Sequence, residues 1–363
     1  MIRTLYYCFF SGLLLFSCEH PGEPPAAPVL PEIPGTQEPP AVEQPGLVVK
    51  HPTAATLRLY HFLQENYGRK ILSGTVANVS WNTHEAEWVH HHTGKYPALN
   101  TFDYIFLYAS PANWIDYSQT QVVEDWWNNN GIVSCMWHWN VPVRPGSDAY
   151  EFYTGRTSFD ISKAVVEGTY ENAVVKADLE KIAGNLLLLK QKNIPVLWRP
   201  LHEAAGGWFW WGAKGAQPCK ALWKMMFDFF QEKELNNLIW VWTSEPNDEA
   251  WYPGDACVDI IGRDMYNKTG ATDMYEEYDA LKKRFPHKII ALSECGNVAG
   301  IAAQWNAGAT WSWFMPWYDY ERTNDPAGSA FNSEAHQHAS AAYWKSAFAN
   351  EQVISRDEMP GLK

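Results

Sequence analysis

The chain has 363 residues and is 46% hydrophobic, enough to bury a substantial core. Its length fits two ordinary domains or one large barrel, since barrels of about 250–300 residues fold as single units. A formal net charge of −13 argues against a phosphate-backbone partner, which needs a positive patch, so no nucleic-acid partner is expected and a neutral partner such as a glycan suits the balance better.

The first 17 residues have the form of an export signal: Arg3 supplies the positive end, and Leu5 to Phe16 form an apolar stretch too short to span a bilayer as a helix. It ends in Leu15-Phe-Ser-Cys18, similar to a bacterial lipobox. Cys18 is therefore the expected lipidation site, and the protein an expected envelope lipoprotein, periplasmic or on the cell surface, with plain secretion as the alternative. Residues 18–47 follow as a proline-rich, disordered linker. Its nine prolines between Pro21 and Pro45 leave too little apolar surface to order it, and its composition suits a semi-rigid spacer. The folded, catalytic part is expected over 48–363.

From there a pattern repeats. Apolar runs suited to buried strands occur at Lys70–Ala77, Tyr96–Phe102, Gly131–Trp139, Pro195–His202, Leu238–Thr243, Val258–Met265, Lys288–Ser293 and Ala309–Phe314. Between them lie segments of helical spacing, such as Thr169–Asn193 and Pro218–Lys233. Continuous apolar strands alternating with helices imply a parallel sheet covered on its outside. Eight such units predict an α/β fold of the (β/α)8 TIM-barrel class, a single catalytic domain. A doubly wound open sheet is the alternative, but no glycine-rich phosphate loop follows the first run.

A barrel of this kind carries its chemistry at the carboxyl ends of its strands. His138, Glu203, Asp264, Tyr266, Glu294 and Trp317 all fall at or just beyond run ends. Glu203 and Glu294, on runs four and seven, face each other across the mouth, and two facing carboxyl groups are the minimum for cutting a glycosidic bond. Glu203, walled by Trp208, Phe209 and Trp210, suits a proton donor kept neutral by burial; Glu294, between Ser293 and Gly296, suits an ionised nucleophile. The 20 tryptophans, with 18 Tyr and 16 Phe, exceed what a core needs, and the cluster at positions 137, 139, 208, 210, 211, 311, 313 and 317 predicts ring platforms for sugars.

Trp198-Arg-Pro-Leu-His-Glu203, followed by Gly206-Gly-Trp-Phe-Trp-Trp-Gly212, resembles the acid/base motif of glycoside hydrolase family 26, which includes many endo-β-1,4-mannanases. Ser293-Glu-Cys-Gly296 is similar to the family's nucleophile strand, and the likeness covers roughly Val48 to Asn350. The resemblance implies double displacement with retention, Glu294 as nucleophile and Glu203 as acid/base, without a cofactor or metal. It also implies a substrate-binding set of His138, Arg199, His202, Trp208, Asp264, Tyr266 and Trp317. Within that set, Arg199 and His202 would orient the carboxylates and Tyr266 would touch the nucleophile. The implied substrates are β-mannan, galactomannan and manno-oligosaccharides, cleaved by a monomer. An exo-acting mannobiohydrolase, a β-glucanase or xylanase, and a non-catalytic glycan-binding lipoprotein remain alternatives. Ala204-Ala205 depart from the polar pair that often follows His-Glu in the family, which bears on neighbouring sugar subsites.

Other candidates point to ordinary roles. His84 and His90-His91-His92 are expected on a solvated helix face, and His336 and His338 in a similar setting. Glu245, in Ser244-Glu-Pro-Asn, either lines the cleft or caps a loop. Cys135, Cys219, Cys257 and Cys295 lack metal-ligand spacing and are expected as buried free thiols.

Overall fold

The computed structural model describes residues 46–107, 115–320 and 325–363. The export signal, Cys18 and nearly all of the proline-rich linker lie outside the described residues.

Eight strands form the frame: β1 (Ile71–Val76), β2 (Leu99–Asp103), β3 (Ile132–Trp137), β4 (Val196–Pro200), β5 (Leu238–Thr243), β6 (Ile260–Tyr266), β7 (Ile289–Gly296) and β8 (Trp313–Pro316). Each pairs in parallel with its sequence neighbour, and β8 returns to β1 with Leu72 opposite Trp313. The sheet is therefore a closed barrel and has no switch point of the kind an open doubly wound sheet would offer. Every strand residue except Tyr266 is buried, which is why the runs read as continuous apolar stretches rather than alternating ones.

Helices cover the barrel's outside. The helix between β3 and β4, Tyr170–Gln191, starts where the Thr169 side chain accepts the N–H of Asn172 at 3.1 Å, and it buries Val175, Leu179, Ile182, Leu186 and Leu189. Val174, on the expected apolar face, is only partly buried. After β5 the described chain makes two short 3-10 turns, Glu249–Trp251 and Asp255–Cys257, where the repeat predicts a longer helix. The helix Ala54–Asn66, which precedes β1, is anchored at the base of β5, where the Thr53 N–H reaches the Asn236 carbonyl at 3.2 Å.

The last strand begins later than its apolar run suggests. The helix Ile301–Ala307 ends on Gly308 at φ 102°, so Ala309 to Ser312 serve as the climb into β8 rather than as part of it. The tryptophans also behave differently from the expectation. Trp137, Trp139, Trp210, Trp211, Trp311 and Trp313 are all buried, whereas Trp208 is 43% exposed. Their indole N–H groups explain part of this burial, since Trp210 and Trp211 donate to the carbonyls of Trp139 and His202 and so brace the loop after β4. Cys135, Cys219, Cys257 and Cys295 are buried free thiols. Among the described residues no helix is long and apolar enough to cross a membrane.

Candidate active site

The strand ends bring Glu203, Asp264 and Glu294 together so that one carboxylate oxygen of each lies within 4.8 Å of the others. Three acids this close would repel, and Arg199, inside β4, resolves the conflict. One guanidinium nitrogen lies 2.7 Å from Asp264 Oδ2 and the other 2.7 Å from Glu294 Oε2, with all three side chains nearly inaccessible to solvent. The planar fork suits two carboxylates at once. Ser293 donates its hydroxyl to the second oxygen of Asp264 at 2.7 Å, and Tyr266 donates its own to Glu294 Oε1 at 2.5 Å. Both oxygens of Glu294 therefore serve as acceptors, an environment that suits an anion.

A bulge in β7 aims Glu294. Arg263 pairs with Leu292, but the next residue, Asp264, pairs with Glu294, so β7 carries one extra residue there; the same excess appears against β8. Bulges of this kind redirect a side chain at a sheet edge or barrel rim. Gly262 makes room for it, because a Cβ at that position would lie 2.4 Å from Ser293 Oγ.

Glu203 leaves β4 through strained backbone. Leu201 and Glu203 adopt φ values of 47° and 52°, a region that side-chain-bearing residues rarely occupy. The chain then folds back so that the Trp208 indole N–H donates to Glu203 Oε2 at 2.9 Å. Gly206 permits this return, since a Cβ there would lie 2.0 Å from the Trp208 ring. Burial, reinforced by Glu294, Asp264 and Glu245, pushes the Glu203 carboxyl up to about 9, with Arg199 opposing. At neutral pH the group is thus protonated, and with Oε2 accepting from Trp208 the proton sits on Oε1. Of the expected wall, Trp208 is in place, while Trp210 turns inward against Trp139 and Phe159.

His138, just past β3, takes its orientation from Asp103 at the end of β2: its ring Nδ1 lies 2.6 Å from Asp103 Oδ2, and its backbone N–H donates to Oδ1. His202 stacks edge-on to His138, with ring centroids 4.5 Å apart, and burial drives its imidazole well below the usual range, so it stays neutral. Trp317 lies 5.8 Å from the His138 ring and donates its N–H to Tyr320. Of the expected substrate-binding set, Trp208 is exposed and Tyr266 partly so, while His138 and Trp317 are nearly buried against each other. Arg199, Asp264 and His202 are buried, and Arg199 ties Asp264 to Glu294.

Several contributors escape a reading of the chain. Asp103 lies one residue beyond its apolar run. Tyr153 follows a two-stranded hairpin, Val141–Pro142 with Tyr150–Glu151, and its backbone bridges to Phe209. Tyr153 and Tyr320 are exposed beside Glu203, and burial together with Tyr320, Glu151 and Glu203 raises the Tyr153 phenol above its ordinary value. His336 departs from the solvated setting expected for it: its ring, 2% exposed, lies 2.9 Å from the buried Glu85 carboxylate. His90 stacks on Tyr96, and His92 lies against the Phe331 carbonyl, contacts that tie their helix to its surroundings.

Comparison with known proteins agrees with this geometry. The profile described as glycosyl hydrolase family 26 matches residues 48–352. Mannan endo-1,4-beta-mannosidase B of Piromyces sp is 33% identical over 331 residues, covering 88% of this chain and 54% of the relative. A mannan endo-1,4-beta-mannosidase of Thermothelomyces thermophilus is 35% identical over 319 residues, covering 85% and 62%. The chain thus spans little more than half the length of these curated relatives. Among solved structures, the GH26 domain of an endo-beta-mannanase/endo-beta-glucanase from Prevotella bryantii aligns with a TM-score of 0.78 at 40% identity, covering 86% of this chain and 98% of that one. A beta-mannanase from a symbiotic protist of the termite Reticulitermes speratus, complexed with gluco-manno-oligosaccharide, aligns with a TM-score of 0.74 at 37% identity, covering 87% and 98%. With a matching profile over most of its length and the site built on the expected strand ends, this chain belongs to glycosyl hydrolase family 26.

Proposed function

We propose that the protein hydrolyses β-1,4-mannosidic bonds in mannan, galactomannan or manno-oligosaccharides by double displacement with retention. The observation that carries this reading is the separation of the two acids. Carboxyl oxygens of Glu203 and Glu294 lie within 4.8 Å of each other, in keeping with the roughly 5–5.5 Å of retaining enzymes and short of the 6.5–9.5 Å or so that inverting ones use to admit a water. The names of the relatives supply the substrate class.

In the first step Glu294 Oε attacks the anomeric carbon while Glu203 Oε1 gives its proton to the departing glycosidic oxygen, leaving a glycosyl ester on Glu294 and an ionised Glu203. In the second, Glu203 takes a proton from water, whose oxygen attacks the anomeric carbon and frees Glu294. Arg199 and Tyr266 stabilise Glu294 as it regains its charge, and the neutral His202 and the Asp103–His138 pair keep the sugar side of the site rigid. The three-carboxylate cluster has the outline of a cation cage, but the Arg199 guanidinium already bridges two of its members, and no step above calls for a metal.

A time course on galactomannan and manno-oligosaccharides, run with the wild type and Glu294→Ala, tests the reading. Reducing sugar released by the wild type and a loss of at least ~10³-fold in the variant are expected. Glycan binding without product, or equal turnover by the variant, would overturn it. The same products separate modes of action, since mannobiose alone would indicate a chain-end enzyme and a ladder internal cuts. Parallel assays on mixed-linkage glucan and xylan test the sugar preference. We further propose that Cys18 is lipidated and tethers the catalytic body to the envelope through residues 18–47; Cys18→Ala should shift the protein from the membrane to the soluble fraction, and an unchanged distribution would refute the anchor.

A further inference from the structure

Glu245 follows β5 in the turn Ser244-Glu-Pro-Asn-Asp248, and the turn is built to fix it. Asp248, fully buried, accepts the Glu245 N–H at 2.9 Å and the Ser244 hydroxyl at 3.0 Å, and is itself held by Arg284. Arg263 donates to the Ser244 carbonyl at 2.7 Å, and the Ser244 N–H reaches the Gly262 carbonyl at 2.9 Å. Pro246 further restricts Glu245 to extended backbone. Alternation along a strand then sets the direction of the side chain. Thr243 points inward, where its hydroxyl lies 3.3 Å from an Arg199 nitrogen. Ser244 points away, into the Asp248 network, so Glu245 returns to the inner side, above the barrel mouth.

Despite this scaffolding, the Glu245 carboxyl is itself unused. No group among the described residues donates a hydrogen bond to it, and it is only partly buried. A loop cap would satisfy a backbone N–H, and here Asp248 has taken that task. Burial, with Asp264 beside it, pushes the carboxyl up to about 8, so near neutrality it both donates and accepts. A rigidly aimed, partly protonated and unpartnered carboxyl at the edge of a sugar cleft matches the hydroxyls of a pyranose.

Its position specifies which pyranose. Trp317, just past β8, and His138, past β3, pack together with ring centroids 5.8 Å apart, and the hydrolytic reading gives that wall to the sugar that Glu294 attacks. The proton donor Glu203 must face the departing oxygen, so the leaving unit lies on the opposite side, toward the wall supplied by β5. We propose that Glu245 is a specificity-determining residue that hydrogen-bonds hydroxyls of the sugar on the leaving-group side of the scissile bond. This assignment rests on the hydrolytic reading above and names the residue that tells an oligosaccharide leaving group from any other.

The test compares two substrates that share a glycone. Mannotetraose places sugars on the leaving side, whereas an aryl β-mannobioside places only a phenol there. For Glu245→Gln and Glu245→Ala, the ratio of kcat/KM on mannotetraose to kcat/KM on the aryl mannobioside should fall about 10-fold relative to wild type, the scale of one lost hydrogen bond to a polar partner. Melting temperatures no lower than wild type should accompany this, because no hydrogen bond among the described residues depends on the carboxyl. An equal loss on both substrates would mean that Glu245 acts through the Glu203 proton or through the fold, and no loss on either would mean that it does not touch the leaving sugar; each overturns the proposal. A wild type inactive on both substrates would sink the hydrolytic reading and this assignment with it, an outcome distinct from a failure of the variants alone.

Discussion

Trp208 donates to one oxygen of Glu203, while Arg199 and Tyr266 occupy both oxygens of Glu294. Two identical side chains thus enter the same cleft in different settings: burial keeps the proton on Glu203, whereas Glu294 meets donors on both of its oxygens. For Glu203 the consequence extends to stability. Its carboxyl rises from 4.5 to about 9 on folding, so the folded chain holds a proton that the unfolded chain releases. Stability is therefore lost as pH climbs through that window, and it is fully recovered below the lower value. Glu203→Gln removes the burden: at pH 8 the variant should melt at least ~2 °C above wild type, and near pH 4 the two should coincide in thermal scans. The alkaline limb of kcat/KM should follow the same group, with activity falling as pH approaches 9; a limb near 5 would contradict the assignment. Because Arg199 supplies the cation of the cluster, exhaustive treatment with EDTA should leave kcat within about twofold of its starting value. Glu203, Glu294, Tyr266 and His138 were legible in the chain because acids, bases and donors at the ends of apolar runs have few other uses, whereas Arg199, inside its run, was picked out only through the family resemblance. Asp103, Tyr153 and Tyr320 were not, since each acquires its role only from a partner distant in sequence: His138 for Asp103, Phe209 and Glu203 for Tyr153, Trp317 for Tyr320.

Two elements convert those residues into a site. The bulge in β7 turns Glu294 toward the mouth, and the glycine-flanked turn after β4 brings Trp208 back onto Glu203. Both depend on a missing Cβ. Gly262→Ala would drive a methyl group to 2.4 Å from Ser293 Oγ, displacing the bulge together with the Ser293–Asp264 bond. A shift of about 1 Å in the nucleophile should lower kcat by about 10²-fold, with destabilisation of about 1–3 kcal/mol from overpacking. Steady-state kinetics beside denaturant melts measure both, and a variant that melts lower but turns over normally would show that the bulge does not position Glu294. At this scale the sequence was informative about which elements exist and silent about their local irregularities. A run of buried residues announces a strand, yet the extra residue in β7 leaves no trace in composition, the climb from Ala309 to Ser312 alternates apolar and polar residues as a strand can, and the 3-10 turns after β5 interrupt a repeat that the other units keep.

Across the whole molecule, closure of β8 onto β1 matters most, because it points eight strand ends into one mouth and lets acids separated by 91 positions in the chain act together. The barrel class could be inferred from the regular alternation of apolar runs and helical segments, whereas the small supply of exposed rings among the described residues could not. Tryptophan content alone overstates the sugar-binding surface, for Trp137, Trp139, Trp210, Trp211, Trp311 and Trp313 fill the core. Subsite affinity should accordingly rest on few platforms. Trp208→Ala should raise KM for mannotetraose about 10-fold or more while the melting temperature moves little, since its ring is 43% exposed.

The account as a whole depends on a covalent intermediate on Glu294, and trapping it is the most direct test. A 2-deoxy-2-fluoro mannobiosyl fluoride slows both steps and lets the glycosyl-enzyme accumulate, so that the mass of the intact protein and of its peptic fragments can be read. The account predicts one added mannobiosyl unit, carried by the peptide containing Glu294 and absent from Glu294→Ala. Labelling of another residue, or turnover of the probe without an adduct and with inversion at the anomeric carbon, would contradict it.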